Sequence, residues 1–129
     1  MCLKKLKKPV PNVKYAYKVC KFFYNRNLIE SIYNSYIFEL NEWEFDYNFN
    51  RTIATSNNIE TYQSGFHCFT NKKNATSYRK YVSYLWDKSF ALKIYKVEVK
   101  DIVAYGLQEF DIRDANTIVC KQIKLLEEI

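Results

Sequence analysis

Only one stretch of this chain spaces its apolar residues for a helix. Ala75, Tyr78, Val82 and Leu85 recur at three- and four-residue intervals, with Tyr81 and Trp86 flanking them, so they share one face of a 3.6-residue turn. Thr70 offers a hydroxyl to cap the first turn and Asp87-Lys88 ends the pattern, which predicts a helix over 71–86. Elsewhere, wherever a period is legible, it is two. Val13, Tyr15, Tyr17 and Val19 alternate with Lys14, Ala16, Lys18 and Cys20, the signature of a half-buried strand with one basic face. A lone helix among strands buries its apolar stripe on their sheet, so the predicted class is α+β: one domain, a mainly antiparallel sheet packed on one principal helix.

The remaining strands are read from shorter signals. Asn25-Arg26-Asn27 is turn chemistry, Leu28-Ile29 and Tyr36 to Leu40 read as strands separated by Asn34-Ser35, and Asn41-Glu42-Trp43 turns the chain again. Between Asp46 and Ser64 the residues are mostly polar and periodicity fades, which predicts a long loop. Ala91 to Val99 returns to strand character, Ile102 to Tyr105 continues it, Gly106 turns, and Gln108 to Asn116 loops outward. In the last segment Ile118 and Cys120 share one parity, Ile123 and Leu125 the other, and the change predicts a bulge.

Pro9 and Pro11 forbid a helix at the entry, so residues 1–12 are read as a basic N-terminal tip and 13–129 as the domain. With 48% hydrophobic residues and only 2 Gly and 2 Pro, little of the chain is linker material. The formal charge of +6 looks like a nucleic-acid signal until it is located. Lys4, Lys5, Lys7 and Lys8 supply four of it, and residues 9–129 carry 16 basic against 14 acidic side chains. A basic tip holds phosphates without sequence preference, and such runs also serve as solvated termini. No apolar span or signal-peptide core is present, so a soluble protein of the cytoplasm is expected, with no membrane partner. Cys2, Cys20, Cys68 and Cys120 are too scattered for a metal knuckle or redox motif; free thiols are expected, with Cys20 and Cys120 as small core residues. No metal site or cofactor is indicated.

Two places carry candidate function. Trp43, Phe45, Tyr47 and Phe49 alternate with Glu44, Asp46 and Asn48, giving one aromatic and one acidic-polar face. On a covered strand the aromatics are core, the favoured reading; on an exposed edge they are a protein-binding surface. His67 next to Cys68 invites a thiol nucleophile activated by imidazole. Adjacent strand residues point to opposite faces, however, so a structural role is favoured: Gly65 adopts an unusual backbone angle, Phe66 packs under the helix, and His67 hydrogen-bonds across the loop to fix a turn.

Three short motifs, in their order and spacing, resemble a family of small bacteriophage and large-virus proteins. They are Tyr17-Lys18-Val19 on the opening strand, Gly65-Phe66-His67 with the helix after it, and the two C-terminal strands ending in Ile123-Lys124-Leu125. The likeness covers residues 13–129 apart from 41–64. It implies a virus- or phage-encoded accessory protein of the host cytoplasm that binds a host or viral protein, with inhibition of a defence system, as by anti-CRISPR proteins, as one form of that role. It carries over no catalytic residue. A more distant likeness links the Gly-Phe-His segment to ADP-ribosyltransferases and offers Glu127 or Glu128 as the carboxylate that steadies an oxocarbenium-like centre. Against that likeness, Lys18 stands where an arginine or histidine is usual, and no Ser-Thr-Ser strand is present. The third reading is a nucleic-acid-associated protein using the N-terminal lysines.

Overall fold

The computed structural model describes residues 2–33, 36–46, 51–85, 89–111 and 113–129. In chain order the strands are β1 (Lys5–Leu6), β2 (Tyr15–Phe23), β3 (Leu28–Ser31), β4 (Ile37–Phe38), β5 (Trp43–Phe45), β6 (Thr52–Ala54), β7 (Thr61–Gln63) and β8 (Phe66–Phe69). The helix α1 (Lys72–Ser83) follows, then β9 (Ala91–Phe110) and β10 (Arg113–Glu128). Among these residues strands dominate and one helix packs on them, so the mainly antiparallel sheet with a single helix is as expected, while the label α+β fits loosely. Among the described residues no helix is long and apolar enough to cross a membrane.

The length of β9 dictates the architecture. A straight strand of 20 residues would run about 65 Å, far beyond a domain whose radius of gyration is about 14 Å, so β9 must bend. Asp101 takes a left-handed φ of 56°, and the pairing with β10 shifts register between Val119 and Cys120 and again between Leu125 and Glu127. At this bend the core residues change parity on both strands, from Val99 to Ile102 and from Cys120 to Ile123. The parity change visible in the sequence is thus a real bend of the hairpin.

Bending lets the sheet close on itself. β2 pairs with β9 from Tyr15↔Glu98 to Phe22↔Ala91, β9 pairs with β10 along most of its length, β10 pairs with β8 from Thr117↔Phe69 to Cys120↔Phe66, and β8 returns to β2 through Tyr17↔Phe69. One face of all four strands forms a continuous core: Ala16 and Cys20, Val97, Ile118 and Cys120, and Cys68. Cys20 and Cys120 are the small buried core residues expected. A second core lies between the outer face and α1, where Tyr78 meets Phe69 at 5.1 Å and Phe110 at 5.2 Å between ring centroids.

Several expectations are corrected. The described helix ends at Ser83; Ala75, Tyr78 and Val82 are buried as predicted, but Leu85 lies beyond the helix and is 57% exposed. Asn71, not Thr70, caps it, accepting the Asn74 amide at 2.9 Å. The stretch read as a loop from Asp46 to Ser64 contains the β6–β7 hairpin. Gly106 does not turn the chain, and Gln108 to Asn116 does not loop outward: the strand runs on to Phe110 and β10 begins at Arg113. Gly106 is needed because β1 pairs closely alongside it, and a Cβ there would collide with the Lys5 carbonyl oxygen. The turn expected at Asn34-Ser35 and the helix end at Trp86 to Lys88 lie outside the described residues.

The lysine-rich segment is no separate tip. Leu3 is completely buried against Tyr62, Ala104 and Val119, and β1 pairs with β9 at Leu107 and Gly106. Its apolar residues, Leu3 and Leu6, stand three apart, each followed by a pair of lysines, a spacing with no period of two.

Candidate functional site

β8 meets β2 at one position, Tyr17↔Phe69, and beyond it the two strands part. Lys18 fills the gap. Its backbone belongs to the inward-facing series of Ala16 and Cys20, and its Nζ donates to the His67 carbonyl oxygen at 3.0 Å, standing in for the missing ladder bond. Over this split opens a cleft of about 310 Å³, at the lower end of the range for small-molecule sites. Val19, Phe66 and Phe69 give it an apolar floor; Ser31, Tyr33 and Tyr36 form one wall, and Tyr78 of α1 another.

Asp46 lies at the cleft, 3% exposed, and is held from three directions. The Tyr36 hydroxyl donates to its Oδ1 at 2.8 Å, the Ser64 hydroxyl to its Oδ2 at 3.2 Å, and the Lys121 ammonium stands 3.4 Å from the same oxygen. Lys121 also donates to the Ser64 carbonyl. A carboxylate so surrounded has its charge matched and its lone pairs occupied. It orders the wall of the cleft.

His67 lines the cleft on the other face of β8 from Cys68. The Tyr62 hydroxyl accepts the Leu3 amide at 2.9 Å, which leaves its own proton for His67 Nε2, 3.1 Å away. The ring's other nitrogen hydrogen-bonds the Gly65 backbone as a donor, so the proton sits on Nδ1, Nε2 accepts, and the imidazole is neutral. Burial first and the Lys18 charge second push its pKa down to about 3. The expected hydrogen bond of His67 is present. Gly65, by contrast, has no left-handed φ; a Cβ there would meet the Cys120 carbonyl oxygen at 2.6 Å, so close approach is what requires glycine. The Gly-Phe-His segment opens a strand, and Phe66 packs on Tyr36 and Phe38 at 4.9 and 5.8 Å instead of under the helix.

The electrostatic balance of the cleft is uneven. Asp46 is already matched by Lys121, whereas Lys18 and Arg51 make no ion pair among the described residues. Lys18 is partly buried, so its charge acts across a medium less polar than water. The site has spare positive charge and no spare negative charge among its described lining.

The other residues singled out by sequence lie elsewhere. Cys68 is fully buried in the enclosed core, away from the His67 ring, so the two form no nucleophile and base pair. Trp43 and Phe45 pair with Lys124 and Gln122, while Glu44 pairs with the inward Ile123. The alternation was right and the face reversed: Glu44 points toward the core side, its carboxyl raised by burial, and the aromatics point outward, Phe45 being 43% exposed. Tyr47 and Phe49 lie outside the described residues. Lys4 bridges Glu109 and Asp114 at 3.4 and 3.6 Å, and Lys7 donates to Asn116 at 2.9 Å; Lys5 and Lys8 are exposed. Glu127 and Glu128 are exposed at the end of β10, Glu128 paired with Lys93 at 3.1 Å, and neither lines the cleft. Among the described residues no cluster of three His, Cys, Asp or Glu side chains is placed to hold a metal ion.

Sequence reasoning missed Lys18, Asp46 and Arg51 as a group. The alternation in the sequence placed Lys18 on a basic face of β2, whereas the structure turns that series, with Ala16 and Cys20, toward the enclosed core, where a cation needs a reason. Compared with known families, curated proteins and solved structures, the chain matches none.

Proposed function

We propose that this protein works by binding and that the cleft over the β2–β8 split receives a small anionic ligand. The observation that carries this reading is the pair of cations without carboxylate partners, Lys18 within the cleft and Arg51 beside it, next to an Asp46 whose charge is already matched. Lys18 supplies a compact point charge and Arg51 a planar fork, a combination suited to phosphate or carboxylate oxygens. Covalent chemistry has less support. The buried His67 is neutral and already accepts a hydrogen bond, and the Cys68 thiol is enclosed.

Calorimetric titration with inorganic phosphate, pyrophosphate, adenosine monophosphate and citrate tests it. At least one anion binds with a dissociation constant below a millimolar, and Lys18→Met or Arg51→Ala weakens it at least about tenfold, the loss of one charge-assisted hydrogen bond. Binding that survives Lys18→Met, or no anion bound, rejects the reading.

A second reading, in which a host or viral protein is the partner and the chain serves as an accessory protein, rests on the open edge of the sheet. Among the described residues no strand lies beyond β4, and Ile37 and Leu40 are exposed there at 53% and 47%. Such an edge accepts an added strand.

A further inference from the structure

The near-neutral body of the chain hides an asymmetric surface. Paired residues on adjacent strands share a face of the sheet, and the register places Tyr15, Glu98, Lys124 and Trp43 in one unbroken row across β2, β9, β10 and β5. The neighbouring row is Lys100, Gln122 and Phe45, and on the other side Lys96 lies between Tyr17 and Glu127. All stand on the side opposite the enclosed core. The row from Tyr15 to Trp43 spans three strand spacings, about 14 Å.

Cations and rings interleave along it. Lys14 and Lys96 stand over the Tyr15 ring at 5.4 and 4.5 Å, and Lys100 and Lys124 over the Trp43 indole at 4.0 and 5.0 Å. Lys4, Lys21, Lys93 and Lys121, elsewhere on the molecule, pair with carboxylates. Here only Lys124 does, with Glu98 at 3.5 Å, while Lys14, Lys96 and Lys100 have no ion pair among the described residues. Tyr15 and Phe45 are 42% and 43% exposed.

We propose that this outer face binds single-stranded nucleic acid. Unpaired bases stack on the tyrosine, tryptophan and phenylalanine rings, and the lysines that cover those rings in the free protein swing to the phosphates between them. A duplex has its base faces already stacked on one another and gives the rings nothing to take up. An acidic peptide answers the charge but leaves the rings without a partner. The lysines of the first eight residues play no part, being on another edge of the sheet, where Lys4 is matched by Glu109 and Asp114.

Fluorescence anisotropy of a labelled twenty-nucleotide oligothymidine, followed from 50 to 200 mM salt, tests this. Binding should be roughly micromolar at the low end and fall with a logarithmic slope of about −2 to −3, the product of three or four phosphate contacts. Trp43→Ala should weaken it at least about fivefold and Trp43→Phe should retain most of it. The pair Lys100→Ala and Lys124→Ala should reduce the slope by about 1, while Lys5→Ala with Lys8→Ala should change neither quantity. Urea midpoints confirm that each variant is folded. The proposal is overturned by absence of binding at 50 mM salt, by binding indifferent to Trp43 and to the lysine pair, or by polyglutamate displacing the oligonucleotide as effectively as unlabelled oligothymidine, which would assign the face to an acidic protein.

Discussion

Replacing His67 by glutamine should flatten the acid limb of the stability profile. In the unfolded chain His67 titrates at its ordinary 6.5, whereas in the fold its pKa is about 3, lowered chiefly by burial and then by Lys18. Between those values the unfolded chain binds the proton and the folded one does not, so stability is complete above about pH 6.5 and is lost as pH falls toward 3. At pH 5 the environment lies about 1.5 units below the unfolded pKa, and at 1.36 kcal/mol per unit the loss is about 2 kcal/mol. Urea unfolding of wild type and His67→Gln at pH 7 and pH 5 measures it, because carboxylates common to both cancel in the double difference. Glutamine still accepts the Tyr62 hydroxyl but cannot take a proton. Wild type should lose about 2 kcal/mol more than the variant between the two pH values, close to 1 M in urea midpoint for a domain of this size. Equal losses would refute the reasoning and mean that His67 reaches water in the folded state.

Leu3→Ala should cost about 2–4 kcal/mol, since the side chain is fully buried against Tyr62 and Val119; deleting residues 1–8 should cost at least as much, and a thermal melt unchanged by the deletion would show the segment to be an undocked tip after all. Ellman titration should count one thiol in the native protein, the exposed Cys2, and four in denaturant. Cys20 is held up at about 12 by burial, and Cys120, hydrogen-bonded to Cys68 and buried, lies well above its ordinary value, so neither offers a thiolate at neutral pH. More than one fast-reacting native thiol would contradict that burial.

Local periodicity made much of this fold legible. The period of 3.6 located α1, the period of two located β2 and most of β9 and β10, and the parity switch from Cys120 to Ile123 marked the bend. What periodicity omits is which of two faces is covered. The alternation at Trp43 and Phe45 was plain, but only the pairing of Glu44 with Ile123 reveals that the aromatic side faces out. Gly106 read as a turn because a glycine between apolar runs carries the same letter whether it bends a chain or clears space for a neighbouring strand. The cleft was the least legible part. Lys18, Asp46 and Arg51 come from three separated segments, and the parting of β2 from β8 that brings them together has no local signature. His67 drew attention in the sequence as the one histidine of the chain.

The dependence of so many strands on β9 and β10 has a consequence for how the chain is made. β1, β2, β5 and β8 all take ladder partners from that hairpin, and Tyr15 waits for Glu98. Synthesis proceeds toward the C-terminus at about 5–20 residues per second, so β1 to β8 are made before the hairpin from Ala91 to Glu128 that they pair with exists. Until then β2 has β3 and a single position of β8, β3 has β4, and β6 has β7, but none of these pairings can bury its apolar side alone. The nascent chain therefore spends seconds with Phe22, Phe38 and Phe66 uncovered, a window for chaperone capture or self-association that ends only when the last hairpin emerges.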